Sequence, residues 1–170
     1  MLSSNVIVIM TDELRRDSLG CYGNTIVQTP NIDALARSGT RFDNAYTPSP
    51  ICVPARASIA TGKYVHETGN WGNAQPYHGK PKSWHHAVRD DGRDMPSIGK
   101  LHFRSTDDDN GFSKEINPLH VKDGKGWVHG VLRDQPSLFI PSGFAANIGP
   151  GDDGYSRFDE TVCSETTSWL

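Results

Sequence analysis

The sequence predicts an α/β fold, and three features of its 170 residues support that prediction. A short apolar, β-branched run at residues 5–10 is typical of a buried strand in a parallel sheet. Polar residues follow this run at once, and ligands of α/β proteins lie at the carboxyl ends of such strands. Two helical patterns come next, at residues 32–38 and 55–61, and a glycine follows each of them.

The rest of the chain predicts further elements of both kinds. We expect strands at residues 40–46 and 95–103 and helices at residues 84–89 and 157–170. Residues 111–151 carry only weak strand signals between long loops. So few strands would form a poorly closed core for a sheet this apolar. We therefore expect residues 1–170 to be the N-terminal portion of a larger domain.

Composition and charge argue against several classes of partner. The net charge is −3, the isoelectric point is about 6.1 and the mean hydropathy is −0.54, so no basic footprint indicates nucleic-acid binding. The chain opens without the basic and long apolar regions of a signal peptide. No segment approaches the roughly 20 apolar residues of a membrane helix. We therefore expect a cytoplasmic protein without a membrane partner.

The three cysteines, Cys21, Cys52 and Cys163, are odd in number and widely spaced. This pattern argues against a disulfide framework and against a structural zinc site. Cys21 and Cys163 fit small, semi-buried thiols. Cys52 stands in a proline-rich loop just before a predicted helix, and Pro54 suits the first turn of that helix. One interpretation of Cys52 is therefore an ordinary thiol in that loop.

The physical setting of Cys52 favours an anionic group beside it. A helix N-terminus has free N–H groups and positive potential, and both stabilise negative charge there. Arg56 lies four residues after Cys52, about one helical turn on, so its guanidinium can return to the same end of the helix. There it can bond a charged oxygen and offset charge in a transition state.

The segment Cys52-Val-Pro-Ala-Arg56, followed by Thr61-Gly62, resembles the C-x-P-x-R…T-G signature of the sulfatase family, within the alkaline phosphatase superfamily. The resemblance implies an alkaline-phosphatase-like α/β/α sandwich, of which this chain supplies the N-terminal part. It also implies that a formylglycine-generating enzyme oxidises Cys52 to formylglycine (3-oxoalanine). The hydrated aldehyde of such enzymes is a geminal diol, whose one hydroxyl attacks sulfur or phosphorus while the other expels the product.

An acidic pair, Asp12 and Glu13, follows the apolar run at residues 5–10. It is similar to the end of the opening strand in the sulfatase family, where an acidic pair binds a divalent metal, usually calcium. Carboxylate oxygens suit Ca²⁺ and other hard cations, so Mn²⁺ and Mg²⁺ are also open. The alternative is a solvated acidic loop.

Residues 99–102, Gly-Lys-Leu-His, are similar to a G-K-x-H segment of the family whose lysine and histidine face the substrate ester. Alternation along a strand places Lys100 and His102 on one side. Lys100 is then expected to neutralise a sulfate oxygen, and His102 to donate to it or to act on the diol. The alternative is two exposed polar residues on an edge strand.

Asn73 follows Cys52 at a spacing like that of an asparagine that contacts the nucleophile in choline-sulfatase-like and phosphonate monoester hydrolase-like members. We therefore predict a substrate-binding role for Asn73, although asparagine is also common in turns. We expect His78, His85 and His86 to lie in a polar loop rather than at a metal, because no helical pair with a carboxylate partner is visible. Two interpretations stay open for Trp127 and His129: they line a substrate pocket, or they pack at the surface.

The expected function is hydrolysis of a small-molecule sulfate monoester through formylglycine at Cys52, with a divalent metal. The alternatives are a phosphonate or phosphate ester hydrolase of the same superfamily, and a catalytically incomplete fragment or pseudoenzyme. Family members draw further metal ligands from their C-terminal half, and no such pair is found here. We therefore expect the 170 residues alone to show little or no turnover and to tend to aggregate. The ester substrate and the oligomeric state stay open.

Overall fold

The structure is a computed structural model that describes residues 5–126 and 151–170. The chain falls into two compact units, Met1–Tyr46 and Thr47–Leu170. Among the described residues, no helix is both long and apolar enough to cross a membrane.

The first unit is organised around helix α1, Pro30–Ser38. Pro30 lies in the first helical turn, where its missing N–H leaves no helical hydrogen bond unmade. The Asp33 carboxylate accepts hydrogen bonds from the backbone N–H of Cys21 at 2.7 Å and from the hydroxyl of Thr29 at 3.0 Å. These bonds hold the preceding loop against the helix. The predicted helix is confirmed, with a start two residues earlier.

The strand predicted at residues 5–10 is not formed. Its apolar side chains are exposed, with Val6 at 83% and Ile9 at 80% of full exposure. A strand needs a neighbour whose backbone groups complete its hydrogen-bond ladder, and no segment of the described chain pairs with this run. The strand predicted at residues 40–46 is absent for the same reason. The apolar pattern therefore identified a segment suited to a sheet, but it could not show whether partner strands are present.

Four helices lie in the described part of the second unit: α2 (Cys52–Thr61), α3 (Val65–Thr68), α4 (Trp84–Asp90) and α5 (Gly154–Trp169). Three of them confirm the helices predicted at residues 55–61, 84–89 and 157–170. Gly62 ends α2 in the left-handed conformation, with φ of +67°. Asp153 caps α5, because its carboxylate accepts the Ser156 N–H at 2.7 Å.

Two parallel strands form a small sheet in the second unit: β1, Pro96–Lys100, and β2, Lys114–Leu119. An irregularity after Ile98 shifts the register, so that Lys100 pairs with Leu119. β2 falls within residues 111–151, where the strand signals in the sequence are weak. Because β1 and β2 run parallel, their carboxyl ends lie at the same edge of the sheet.

A small apolar core joins helix α2 to the segment that follows β1. Ala57 and Ala60 of α2 are buried against Tyr77 and Phe103. The rings of Tyr77 and Phe103 meet edge to face, with 4.9 Å between their centroids, an arrangement that aromatic pairs favour. Because Phe103 comes directly after residues 100–102, this core fixes helix α2 beside them.

Candidate active site

Cys52 is the first residue of helix α2 and is half-buried. The helix begins three residues earlier than predicted, because Ile51 has extended geometry and its carbonyl accepts the Ala55 N–H at 3.1 Å. Cys52 therefore lies within the first turn rather than before it, where N–H groups have no partner inside the helix. Its thiol forms no disulfide, so it is chemically available at the positive end of the helix dipole.

Asn73 lies at the same end of helix α2. Its side-chain oxygen accepts the backbone N–H of Val53, the residue after Cys52, at 3.1 Å, and the side chain is buried. This bond satisfies one of the free N–H groups of the first turn, which is the work of a helix cap. The spacing from Cys52 thus led to a residue that contacts the helix end at which Cys52 lies. Its role in substrate binding stays a prediction.

The loop that carries Asn73 is held by hydrogen bonds across its base. The Asn70 side chain donates to the Gln75 carbonyl at 2.7 Å, and the Trp71 N–H donates to the Gln75 side chain at 3.0 Å. Gly126 packs on this loop, and a Cβ there would lie 2.0 Å from the Asn73 carbonyl oxygen. The loop therefore presents the Asn73 side chain to α2 from a fixed backbone.

Arg56 connects helix α2 with the end of strand β1. Its Nη1 donates a hydrogen bond to the backbone carbonyl oxygen of Lys100 at 2.6 Å. The sequence predicted that the guanidinium returns to the N-terminal end of α2, and it did not identify this bond to Lys100. A guanidinium has five N–H donors in a planar fork, so Arg56 can bond several groups at once.

Lys100 and His102 are not placed by strand alternation, and that expectation was wrong. Strand β1 ends at Lys100 rather than at residue 103. His102 has φ of +55°, in the left-handed region, and its N–H donates to the Leu119 carbonyl at 2.8 Å. The chain therefore turns after Lys100, because the register irregularity and the left-handed residue break the period of two on which alternation depends.

Asp12 and Glu13 lie in the first unit and are both exposed. Glu13 has φ of +55°. Their carboxylates suit a hard cation by chemistry, but Ca²⁺ takes six to eight oxygen ligands. Among the described residues, no group of three or more histidine, cysteine, aspartate or glutamate side chains could hold a metal ion. The pair is thus part of a metal site at most, and the described chain does not complete it.

The expectation that His85 and His86 lie in a polar loop was wrong. Both are buried in helix α4, whereas His78 is exposed. His86 Nδ1 lies 2.7 Å from the Ser83 hydroxyl, and its Nε2 lies 2.9 Å from the Asp109 carbonyl oxygen. These contacts use both ring nitrogens and connect helix α4 with the loop at Asp109. Trp127 and His129 lie outside the described residues.

Comparison with known proteins identifies the family. The sulfatase family model matches residues 4–103. The chain is 39% identical over 101 residues to an N-acetylglucosamine-6-O-sulfatase of Bacteroides thetaiotaomicron, covering 59% of this chain and 18% of that protein. It is 37% identical over 169 residues to arylsulfatase K of Danio rerio, covering 98% of this chain and 30% of that protein. The chain thus spans less than a third of the length of these relatives.

Solved structures agree with this result. One is a protein in complex with its substrate D-glucosamine-2-N,6-O-disulfate, with a TM-score of 0.55 and 36% identity over 58% of this chain and 20% of the other. Another is the phosphonate monoester hydrolase of Agrobacterium radiobacter, with a TM-score of 0.52 and 27% identity over 61% of this chain and 23% of the other. These neighbours confirm the predicted fold class. The chain belongs to the sulfatase family.

Proposed function

We propose that the protein containing this chain hydrolyses sulfate monoesters through formylglycine formed from Cys52. The observation that supports this most directly is the position of Cys52 in the first turn of helix α2, with Asn73 bonded to the next N–H. The names of the relatives support a sulfate ester as substrate. The likeness to an N-acetylglucosamine-6-O-sulfatase favours sulfated sugars among the candidate substrates.

Formylglycine supplies, as its hydrate, a hydroxyl that attacks the ester and a second hydroxyl that allows sulfate to be released. The chain's own groups provide the setting for that chemistry. The positive end of the α2 dipole favours an anion beside Cys52. Arg56 offers guanidinium donors at the same helix. Lys100 ends β1 and His102 follows it, so a cation and a ring donor are offered there to the oxygens of the sulfate.

A divalent metal belongs to this proposal as well. Asp12 and Glu13 provide two carboxylates of the kind that Ca²⁺ binds, and Mn²⁺ or Mg²⁺ would use the same oxygens. A complete site needs more ligands than this pair supplies. For this reason we expect little or no turnover from the 170 residues by themselves.

A second candidate function is hydrolysis of a phosphonate or phosphate ester by the same groups. Two observations favour keeping it: Asn73 lies at the nucleophile's helix end, and a phosphonate monoester hydrolase is among the structural neighbours. The first turn of a helix binds sulfate and phosphate alike, so the described residues do not separate the two esters. A catalytically incomplete fragment or pseudoenzyme is the third outcome.

The experiment that tests the proposal compares two esters on one preparation. The longest gene product containing this chain is co-expressed with a formylglycine-generating enzyme and assayed with an aryl sulfate and an aryl phosphonate monoester. We expect kcat/KM to favour the sulfate, and the Cys52→Ala variant to be inactive on both. A preference for the phosphonate would support the second function. No turnover of either ester by a preparation that carries formylglycine would support the third.

A further inference from the structure

A largely buried pair of side chains, Glu115 and His120, lies at strand β2 and directly after its end. The Glu115 carboxylate accepts a hydrogen bond from His120 Nε2 at 2.9 Å, and the two side chains are 8% and 12% exposed. The amide of Asn110 donates to the other carboxylate oxygen at 2.9 Å. Burial disfavours the charged form, but hydrogen bonds from His120 and Asn110 outweigh it and hold the pKa of Glu115 below its usual value. An ionised carboxylate only accepts, so His120 Nε2 carries the proton.

The residue next to this pair holds the backbone of His102. Leu119, the last residue of β2, accepts two hydrogen bonds at its carbonyl oxygen, from the Leu101 N–H at 3.2 Å and from the His102 N–H at 2.8 Å. His102 has φ of +55°, a conformation that costs free energy in residues other than glycine. Such a conformation persists only where surrounding contacts impose it. The place of His102 therefore depends on the place of the Leu119 carbonyl.

Strand β2 is irregular just before Leu119. Asn117 has φ of +45°, and Pro118 has no N–H to donate to a ladder. Leu119 itself is 37% exposed, so packing gives it limited support. The hydrogen bond between Glu115 and His120 spans this irregular stretch from one side to the other and closes it into a fixed loop.

We propose that Glu115 and His120 are positioning residues for His102. Their hydrogen bond fixes the end of β2, and the Leu119 carbonyl then holds His102 in its left-handed conformation. The inference rests on the proposed function only in treating His102 as a group that faces the ester. Since His120 is the next residue after Leu119, a change in its side chain is transmitted to that carbonyl through a single peptide unit.

Two substitutions at His120 separate the hydrogen bond from the volume of the ring. The amide nitrogen of glutamine reaches about as far as Nε2 of histidine, so His120→Gln keeps a donor toward Glu115. The amide of asparagine ends near the position of Nδ1, so His120→Asn loses that donor. Ser83→Ala is the matched control, because it removes a buried hydrogen bond to a different histidine, His86, in helix α4.

The measurement is hydrogen exchange of the Leu101 and His102 amides, together with the ring resonances of His102, by NMR on the chain as it stands. We expect His120→Asn to accelerate exchange of both amides about tenfold or more and to shift the His102 ring signals. His120→Gln and Ser83→Ala should leave both readouts near those of the unchanged protein. Unchanged exchange in His120→Asn, or equal acceleration in helix α2, would overturn the proposal. The readouts need neither formylglycine nor turnover, so failure of the ester assay leaves this test intact.

Discussion

Arg56 Nη1 donates a hydrogen bond of 2.6 Å to the carbonyl oxygen of Lys100. Arg56 lies in helix α2, which begins with Cys52, and Lys100 is the last residue of strand β1, two residues before His102. The bond therefore ties two parts of the candidate site together through a main-chain atom, independently of any substrate.

The bond gives a first prediction, for the Arg56→Lys variant. Lysine keeps the charge but lacks the planar fork of donors, so the bond to Lys100 is lost or bent. We expect the free energy of unfolding to fall by about 1–2 kcal/mol, measured by urea denaturation. Arg93→Lys is the control, since Arg93 makes an exposed ion pair with Asp91 and should change stability by less than about 0.5 kcal/mol. Equal stabilities of the two variants would contradict the structural role.

A second prediction concerns the cap that Asn73 provides. Asn73→Ala leaves the Val53 N–H buried without its acceptor, and we expect a loss of about 1–2 kcal/mol of unfolding free energy. Asn73→Asp keeps an acceptor and adds a negative charge at the helix N-terminus, so it should be close to the unchanged protein or above it. Urea denaturation of both variants decides the question. If alanine were as well tolerated as aspartate, the bond to Val53 would contribute nothing.

A third prediction follows from the burial of His85, which is 6% exposed and stacks on Phe112 with 4.3 Å between ring centroids. Burial lowers the pKa of His85 from 6.5 to about 4. As the pH falls, the unfolded chain gains this proton near 6.5 and the folded protein only near 4. The stability that depends on neutral His85 is therefore complete above pH 6.5 and is lost between pH 6.5 and 4.

The test is the pH dependence of unfolding in His85→Phe, which keeps a stacking ring and removes the titrating group. Between pH 6 and 5 the unchanged protein should lose up to about 1.4 kcal/mol per pH unit more than the variant, the amount for one proton. The exposed His78 provides the control variant His78→Gln, whose slope should match that of the unchanged protein. Parallel curves for all three would show that His85 titrates normally.

A fourth prediction concerns Gly99, the residue before Lys100. Its φ is +89°, and a Cβ there would lie 3.0 Å from a methyl group of Val162 in α5. Gly99→Ala should therefore cost about 1–3 kcal/mol of unfolding free energy, from backbone strain and crowding. Adding Val162→Ala removes the crowding but not the strain, so a double-mutant cycle should show partial recovery. Full recovery would mean that the backbone conformation costs nothing.

The sequence predicted the local elements better than the sheet. Helices α1, α2 and α4 are defined by caps, prolines and apolar spacing that lie within a few residues of each other, so local pattern was sufficient. The strand at residues 5–10 depends on partner strands that the described chain does not contain, and no local pattern reveals a missing neighbour. The break after Lys100 arises from pairing with β2, which had only weak signals.

The candidate site divides in the same way. The motif predicted Cys52 and Arg56, and spacing led to Asn73, because Cys52 and Arg56 lie in the first turns of one helix and Asn73 bonds its N-terminal end. The bond from Arg56 to Lys100 and the pair of Glu115 and His120 bring together residues 44 and 5 positions apart. Neither separation matches a helical or strand period, so sequence periodicity gave no signal for them.

The most direct test of the account is the mass of the tryptic peptide covering residues 42–56, after co-expression with a formylglycine-generating enzyme. We predict that Cys52 loses its sulfur and gains an aldehyde oxygen, while the peptides with Cys21 and Cys163 keep their thiols. Conversion at Cys52 alone would show that the formylglycine-generating enzyme recognises the motif around Cys52 as it recognises that of a sulfatase. An intact Cys52 thiol, with an enzyme that converts a known sulfatase in parallel, would contradict the formylglycine mechanism and favour a catalytically incomplete protein.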